Sequence, residues 1–186
     1  MSADLVSGAV EPSGLPVPCL RLLVVDHRQA FSEALTVRLA LEPDVVVAAT
    51  AGSFEAAEAL LDELEPTVGV VALDLVGGGG LVLVTAARRS HPAVRWVVMG
   101  SDGAPLDVAD AIVAGASGYV TMDSPAAVLA LALRAAVAGF SLTPEDLLRS
   151  ALVELDRPGA AANDLQPQPE VPPTTSCGGL ADSRLS

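Results

Sequence analysis

Short runs of β-branched and aliphatic residues recur about every 25 residues along the middle of the chain: LRLLVV at 20–25, VVVAA at 45–49, VGVVAL at 68–73, VRWVVM at 94–99 and GYVT at 118–121. Each run is followed by a stretch of helical period, so strand and helix alternate five times. The segment after the second run is the clearest helix. Phe54, Ala57, Leu60, Leu61 and Leu64 share one face, Glu55, Glu58, Asp62 and Glu63 the other, with Ser53 as N-cap and Pro66 as stop. Pro105 and Gly115 bracket the fourth helix, Ser124-Pro125 and Gly139 bracket the fifth, and Arg88 and Arg89 suit the C-terminal dipole of the third. Near-continuous apolar strands separated by helices predict an α/β fold, a doubly wound parallel sheet of five strands covered on both faces.

In such a sheet, ligands bind outside the carboxyl ends of the strands where the strand order reverses. The order 2-1-3-4-5 sets the first and third strands side by side there, which brings Asp26 and Asp74 into one crevice, beside Gly100 and Ser101 from the fourth strand and Met122 from the fifth. Two adjacent carboxylates suggest a hard-cation site. Asp26 also has a purely structural reading, because Asp26-His27-Arg28-Gln29 has the D-x-x-Q form of a capping box that would open the first helix.

Composition narrows the chemistry. The chain has 186 residues, 51% of them apolar, enough for one sizeable core. All ten basic residues are arginine, which excludes a Walker-type phosphate loop and a Schiff-base enzyme. A net charge of −13 would repel a polyphosphate duplex, so direct binding of nucleic acid is not expected. Cys19 and Cys177 lie near opposite ends, and neither His27 nor His91 has a cysteine nearby, so neither a disulfide framework nor a zinc site is indicated. Gly77–Gly80 lacks the spacing of a dinucleotide fingerprint. No basic residue precedes Arg21, and the longest uncharged stretch, Leu75–Ala87, has 13 residues, short of the ~18 of a membrane span. A soluble, cytoplasmic protein without membrane contact is expected. Residues 1–19 and 158–186 differ from the middle, the latter carrying QPQPEVPPTT and SCGG, and read as disordered arms.

From Arg21 to Pro144 the chain resembles the receiver domain of bacterial two-component response regulators, in the nitrate-response (LuxR-type) subfamily. The strings that carry the resemblance are RLLVVDHRQAF, EPDVVVAATAGSFEAAEALLDELEPTVGVVALDL, HPAVRWVVM and above all AGASGYVTMDSP. The resemblance implies a flavodoxin-like fold whose members accept a phosphoryl group from a histidine kinase on an aspartate after the third strand. Mg²⁺ is bound there by that aspartate and an acidic pair after the first strand, while a hydroxyl after the fourth strand and a lysine after the fifth contact the phosphoryl oxygens. On this pattern Asp74 is the acceptor position and Asp26 the direct metal ligand. The first acid falls on Val25, the hydroxyl on Gly100 and the lysine on Met122, while Tyr119 falls on the switch aromatic that swings inward on phosphorylation. The loop after Asp74, LVGGGG, is two residues shorter than the family's turn.

Losing two charged groups and a hydroxyl removes most of what accelerates phosphoryl transfer. The expected protein is therefore a degenerate, non-enzymatic receiver with a vestigial acceptor at Asp74, weak Mg²⁺ binding through Asp26 and Asp74 at most, and no efficient exchange with a histidine kinase. It would act in signalling or transcriptional regulation by protein contact, as a homodimer or with another regulator, through the face of the fourth helix, fifth strand and fifth helix. That fifth helix, AAVLALALRAAVA, carries one charge in thirteen residues, more apolar than one core-facing stripe requires. Two alternatives stay open: a small-effector pocket in a crevice enlarged by Val25, Gly100 and Met122, and a weakly active phosphoacceptor truncated from a helix-turn-helix transcription factor. The expected organisation is an arm at 1–19, the receiver at 20–140, a linker helix at 141–157 (SLTPEDLLRSALVEL within it) and a tail at 158–186, without the helix-turn-helix of the subfamily.

Overall fold

A computed structural model describes residues 19–76 and 79–156. The alternation read from the sequence appears as β1 (Leu20–Val25), α1 (Gln29–Leu39), β2 (Val45–Ala51), α2 (Phe54–Leu64), β3 (Val68–Ala72), α3 (Gly79–Ser90), β4 (Arg95–Gly100), α4 (Pro105–Ala114), β5 (Gly118–Thr121), α5 (Ala126–Val137) and α6 (Glu145–Leu155). The five strands form one parallel sheet in the order β2-β1-β3-β4-β5, as expected. Residues 1–18 of the arm expected at 1–19, the tail expected at 158–186, and Gly77 and Gly78 lie outside the described residues.

Alternation along each strand divides the core into two layers. Leu22, Val24, Val70, Val97, Met99 and Val120 face α1 and α5, while Leu23, Val25, Val71, Trp96, Val98 and Tyr119 face α2, α3 and α4. β3, central in the sheet, is buried at all five positions. The helix punctuation holds at the predicted places: Ser53 Oγ accepts the Ala56 amide at 3.3 Å, Pro105 occupies the first turn of α4, and Gly115 closes it at φ 97°, a conformation that favours glycine.

The capping box expected at Asp26 does not form. The N-cap of α1 is Arg28, without a side-chain cap, and Gln29 Nε2 donates to Glu33 instead of reaching back. Asp26 lies two residues before that N-cap, fixed to the end of β1, so its carboxylate faces the Arg28 amide (2.8 Å) rather than the amides of the first turn.

The chain after α5 returns along the outer edge of β5, where Leu142 bridges Gly118 and its carbonyl accepts the Tyr119 amide at 3.3 Å. α6 then packs on α4, burying Ala151 completely and seating Leu147 against Gly103.

Candidate functional site

At the carboxyl edge of the sheet the parallel ladders run one residue past the strands. Asp26 N donates to Ala51 O (2.9 Å), Leu73 N to Met99 O (2.9 Å) and Met122 N to Gly100 O (2.8 Å), so the backbone fixes the bases of three loops. Asp26 is buried, its side chain 0% exposed, whereas the Asp74 side chain is 58% exposed one loop away. A buried carboxylate needs a partner charge. Arg28 supplies it.

The Arg28 guanidinium turns back over the end of β1 and forks Asp26: Nε donates to Oδ1 at 3.0 Å and Nη2 to Oδ2 at 2.8 Å, while the Arg28 amide also donates to Oδ1. Such paired, charge-assisted bonds are the strong kind. Nη2 lies 3.8 Å from Asp74 Oδ1, so Asp26 and Asp74 do share one crevice, with this guanidinium between them. Nη1 donates to Met122 Sδ at 3.1 Å, and the guanidinium carbon stands 5.1 Å from the Phe31 ring centroid. The hydrogen bond to Asp26 holds Arg28 even more firmly protonated than usual.

A divalent cation does not fit this arrangement. Mg²⁺ takes oxygen ligands, yet both Asp26 oxygens are engaged by Arg28, Val25 is apolar and buried, and Met122 offers a thioether. Among the described residues no group of three or more His, Cys, Asp or Glu could hold a metal ion.

The second half of the site surrounds Tyr119. Its ring is buried and its hydroxyl donates to the Asp102 carbonyl at 2.7 Å, in the loop after β4. Burial, reinforced by the charges of Asp107 and Asp102, pushes the phenol well above its ordinary value of 10. A Cβ on Gly100 would collide with Tyr119 Oη and lie 2.7 Å from Cζ. The absent side chain at residue 100 is thus the space that the tyrosine hydroxyl fills. The same loop is tightened by Asp102 Oδ1, which accepts the Ala104 amide at 3.1 Å.

The enlarged crevice expected from Val25, Gly100 and Met122 is therefore not open: Val25 is in the core, the slot at Gly100 holds Tyr119, and Met122 lies under Arg28. Met122 lines a cavity of about 50 Å³ beside Phe31, Leu35 and Leu129. Ser101 is exposed, and Thr121 is paired with Ser124 (3.0 Å). Sequence reasoning missed Arg28, although it is the one arginine in the loops leaving the carboxyl ends of the strands.

No protein-family model matches the chain. It is 32% identical over 123 residues to the DNA-binding transcriptional activator DevR/DosR of Mycobacterium tuberculosis, covering 66% of this chain and 57% of that protein. It is 30% identical over 125 residues to the nitrate/nitrite response regulator NarP of Escherichia coli, covering 67% and 58%. The chain thus spans less than three fifths of the length of these curated relatives. Its structure is similar to a LuxR-family two-component response regulator from Aurantimonas sp. SI85-9A1 (TM-score 0.69, 28% identity, 75% of this chain and 99% of that one). The isolated receiver domain of RcsB from Salmonella enterica shares the fold at 21% identity, with a TM-score of 0.65 over 71% of this chain and 98% of that one.

Proposed function

Because the chain belongs to the receiver domains of LuxR-type response regulators, we propose that it is a degenerate receiver whose signalling state is set by packing and read through protein contacts, without phosphoryl transfer. The observation that carries this reading is the inward Tyr119, hydrogen-bonded to Asp102 in the slot left by Gly100. A modification shifts a conformational equilibrium only by its differential free energy between states. A ring already seated and bonded leaves a phosphoryl group on Asp74 little to change.

Partner contact falls to the outer surface of α5, where Leu131 is exposed, because α6 covers part of α4. A second copy of the chain or another regulator fits this apolar surface. Control of transcription then runs through that contact, with no direct nucleic-acid binding by this acidic chain.

The test combines acetyl phosphate with sedimentation. Asp74→Asn is expected to leave self-association unchanged, Leu131→Asp to weaken it at least several-fold, and acetyl phosphate with Mg²⁺ to label nothing. Labelling lost in Asp74→Asn, together with association that depends on it, would favour a working phosphoacceptor and overturn the reading.

A further inference from the structure

We infer that Arg28 is the resident cation of the acidic pocket, a guanidinium built into the chain that takes the place of both a divalent metal and an ammonium group. Three independent contacts carry this. The guanidinium meets both oxygens of Asp26, the one fully buried carboxylate of the site, in a two-point fork at 3.0 and 2.8 Å of the kind that satisfies a desolvated charge. The same Nη2 stands 3.8 Å from Asp74, so one charge lies between the two acids as a bridging cation would. Its remaining nitrogen, Nη1, ends on Met122 Sδ at 3.1 Å, so the side chain at the fifth-strand position is a neutral contact and not a competing cation.

The neighbours suit a permanent occupant. The Phe31 ring lies under the guanidinium, and Arg28 is the N-cap of α1, two residues after the carboxylate it forks. A tethered cation loses far less freedom than one captured from solution, and it excludes the latter by engaging both oxygens of the one buried carboxylate among the described residues. The acidic pocket is thereby converted from a metal site that is filled conditionally into one that is neutralised from the moment of folding.

This inference rests on the receiver reading only for the identity of the cation displaced. Its test uses Mn²⁺, detected by water proton relaxation, and thermal melting with Mg²⁺ or EDTA. The parent is expected to bind no Mn²⁺ at millimolar concentration and to melt at the same temperature in both buffers. Arg28→Ala should melt lower, and should gain Mn²⁺ binding that is abolished by adding Asp26→Asn. At about ten times the dissociation constant, Mg²⁺ should restore roughly 4–6 °C of melting temperature. Arg28→Lys, which keeps the charge but not the fork, should fall between the two. Asp26-dependent binding in the parent would overturn the inference, as would an Arg28→Ala or Arg28→Lys protein that folds and gives no response to either cation. Phosphorylation of Asp74 without metal would instead sink the proposed function and leave Arg28 as the cation.

Discussion

Gly100→Ala adds one methyl group and tests the seat of Tyr119 directly. Gly100 does not have a positive φ, so alanine meets no backbone penalty; the obstacle is the tyrosine hydroxyl occupying the position of the new Cβ. Either the strand ends move apart or the ring leaves. A tyrosine ring buries roughly 150–250 Å², which at ~25 cal/mol per Å² is about 4–6 kcal/mol. A displaced ring recovers part of that on the surface, and the lost bond to Asp102 adds about 1 kcal/mol, so a net destabilisation of about 2–4 kcal/mol is expected. Tyr119→Phe alone should cost about 1 kcal/mol, and the double variant should recover part of the Gly100→Ala loss, since the hydroxyl is the nearest obstacle. Urea unfolding measures these values. Phenolate absorbance locates the ring, because Tyr119 is the sole tyrosine. Its folded pKa is raised, so the native state holds the proton where the unfolded state has released it; stability from this group is complete below about pH 10 and falls as pH rises further. In Gly100→Ala the phenol should ionise near its ordinary value. A variant that keeps both parent stability and the suppressed phenol would refute the idea that Gly100 makes room for the ring.

Arg134 forks Asp44 (Nε to Oδ2, 2.8 Å; Nη2 to Oδ1, 2.5 Å) and reaches Glu42 (2.6 Å), tying α5 to the loop before β2. The Arg134 hydrogen bond holds Asp44 below the usual carboxylate range, so this contribution is present above about pH 4 and is lost as pH falls further. With Arg134 about a third exposed, Arg134→Ala should cost about 1–2 kcal/mol at neutral pH, and the difference from the parent should vanish in acid, as read by denaturation at several pH values. Leu147→Ala should loosen α6 from α4 and speed tryptic cleavage at Arg149, with little change in the phenol titration. Met122→Lys should destabilise the parent by about 1–2 kcal/mol through repulsion of Arg28, and should be neutral or stabilising in an Arg28→Ala background, a sign reversal that a thermal double-mutant cycle detects.

The fold was legible because its signals are local and repeated. Five apolar runs with helices between them give a parallel sheet whatever the side chains at its rim, and Ser53, Pro105 and Gly115 punctuate helices by mechanisms confined to a few neighbouring residues. Strand ends moved by one or two residues: β2 runs on to Ala51 because Thr50 and Ala51 pair with Val24 and Val25, an effect of the neighbouring strand that the run VVVAA does not contain. The site was legible as a set of positions and not as a set of contacts. Val25, Asp26, Asp74, Gly100, Tyr119 and Met122 gather at one edge because topology puts them there. Which side chain fills which space depends on three-dimensional neighbours. Asp26-x-x-Gln29 fits a capping box by spacing, and only the direction of the Arg28 side chain shows why it does not close. Similarly, α6 was readable as a helix, whereas its seat on α4 depends on Gly103, forty-four residues before Leu147.

On the proposed reading as a degenerate receiver, the departures from an ordinary receiver site are mutually dependent. Once Arg28 forks Asp26, a lysine at residue 122 would face a like charge about 3 Å away, while methionine gives a soft acceptor that needs no counter-ion. A second acid at residue 25 would be a further buried charge in a pocket whose one guanidinium is already engaged by Asp26, and valine there completes the apolar layer with Val71 and Tyr119. Without a hydroxyl side chain at residue 100, the tyrosine hydroxyl can bond to the Asp102 carbonyl, satisfying two polar groups that burial would otherwise penalise. Each substitution is thus compatible with the others and with none of the groups it replaces. Restoring a single family residue should consequently disturb packing or charge rather than recover phosphoryl chemistry, because the space or the counter-charge that residue requires is held by another side chain of the same molecule.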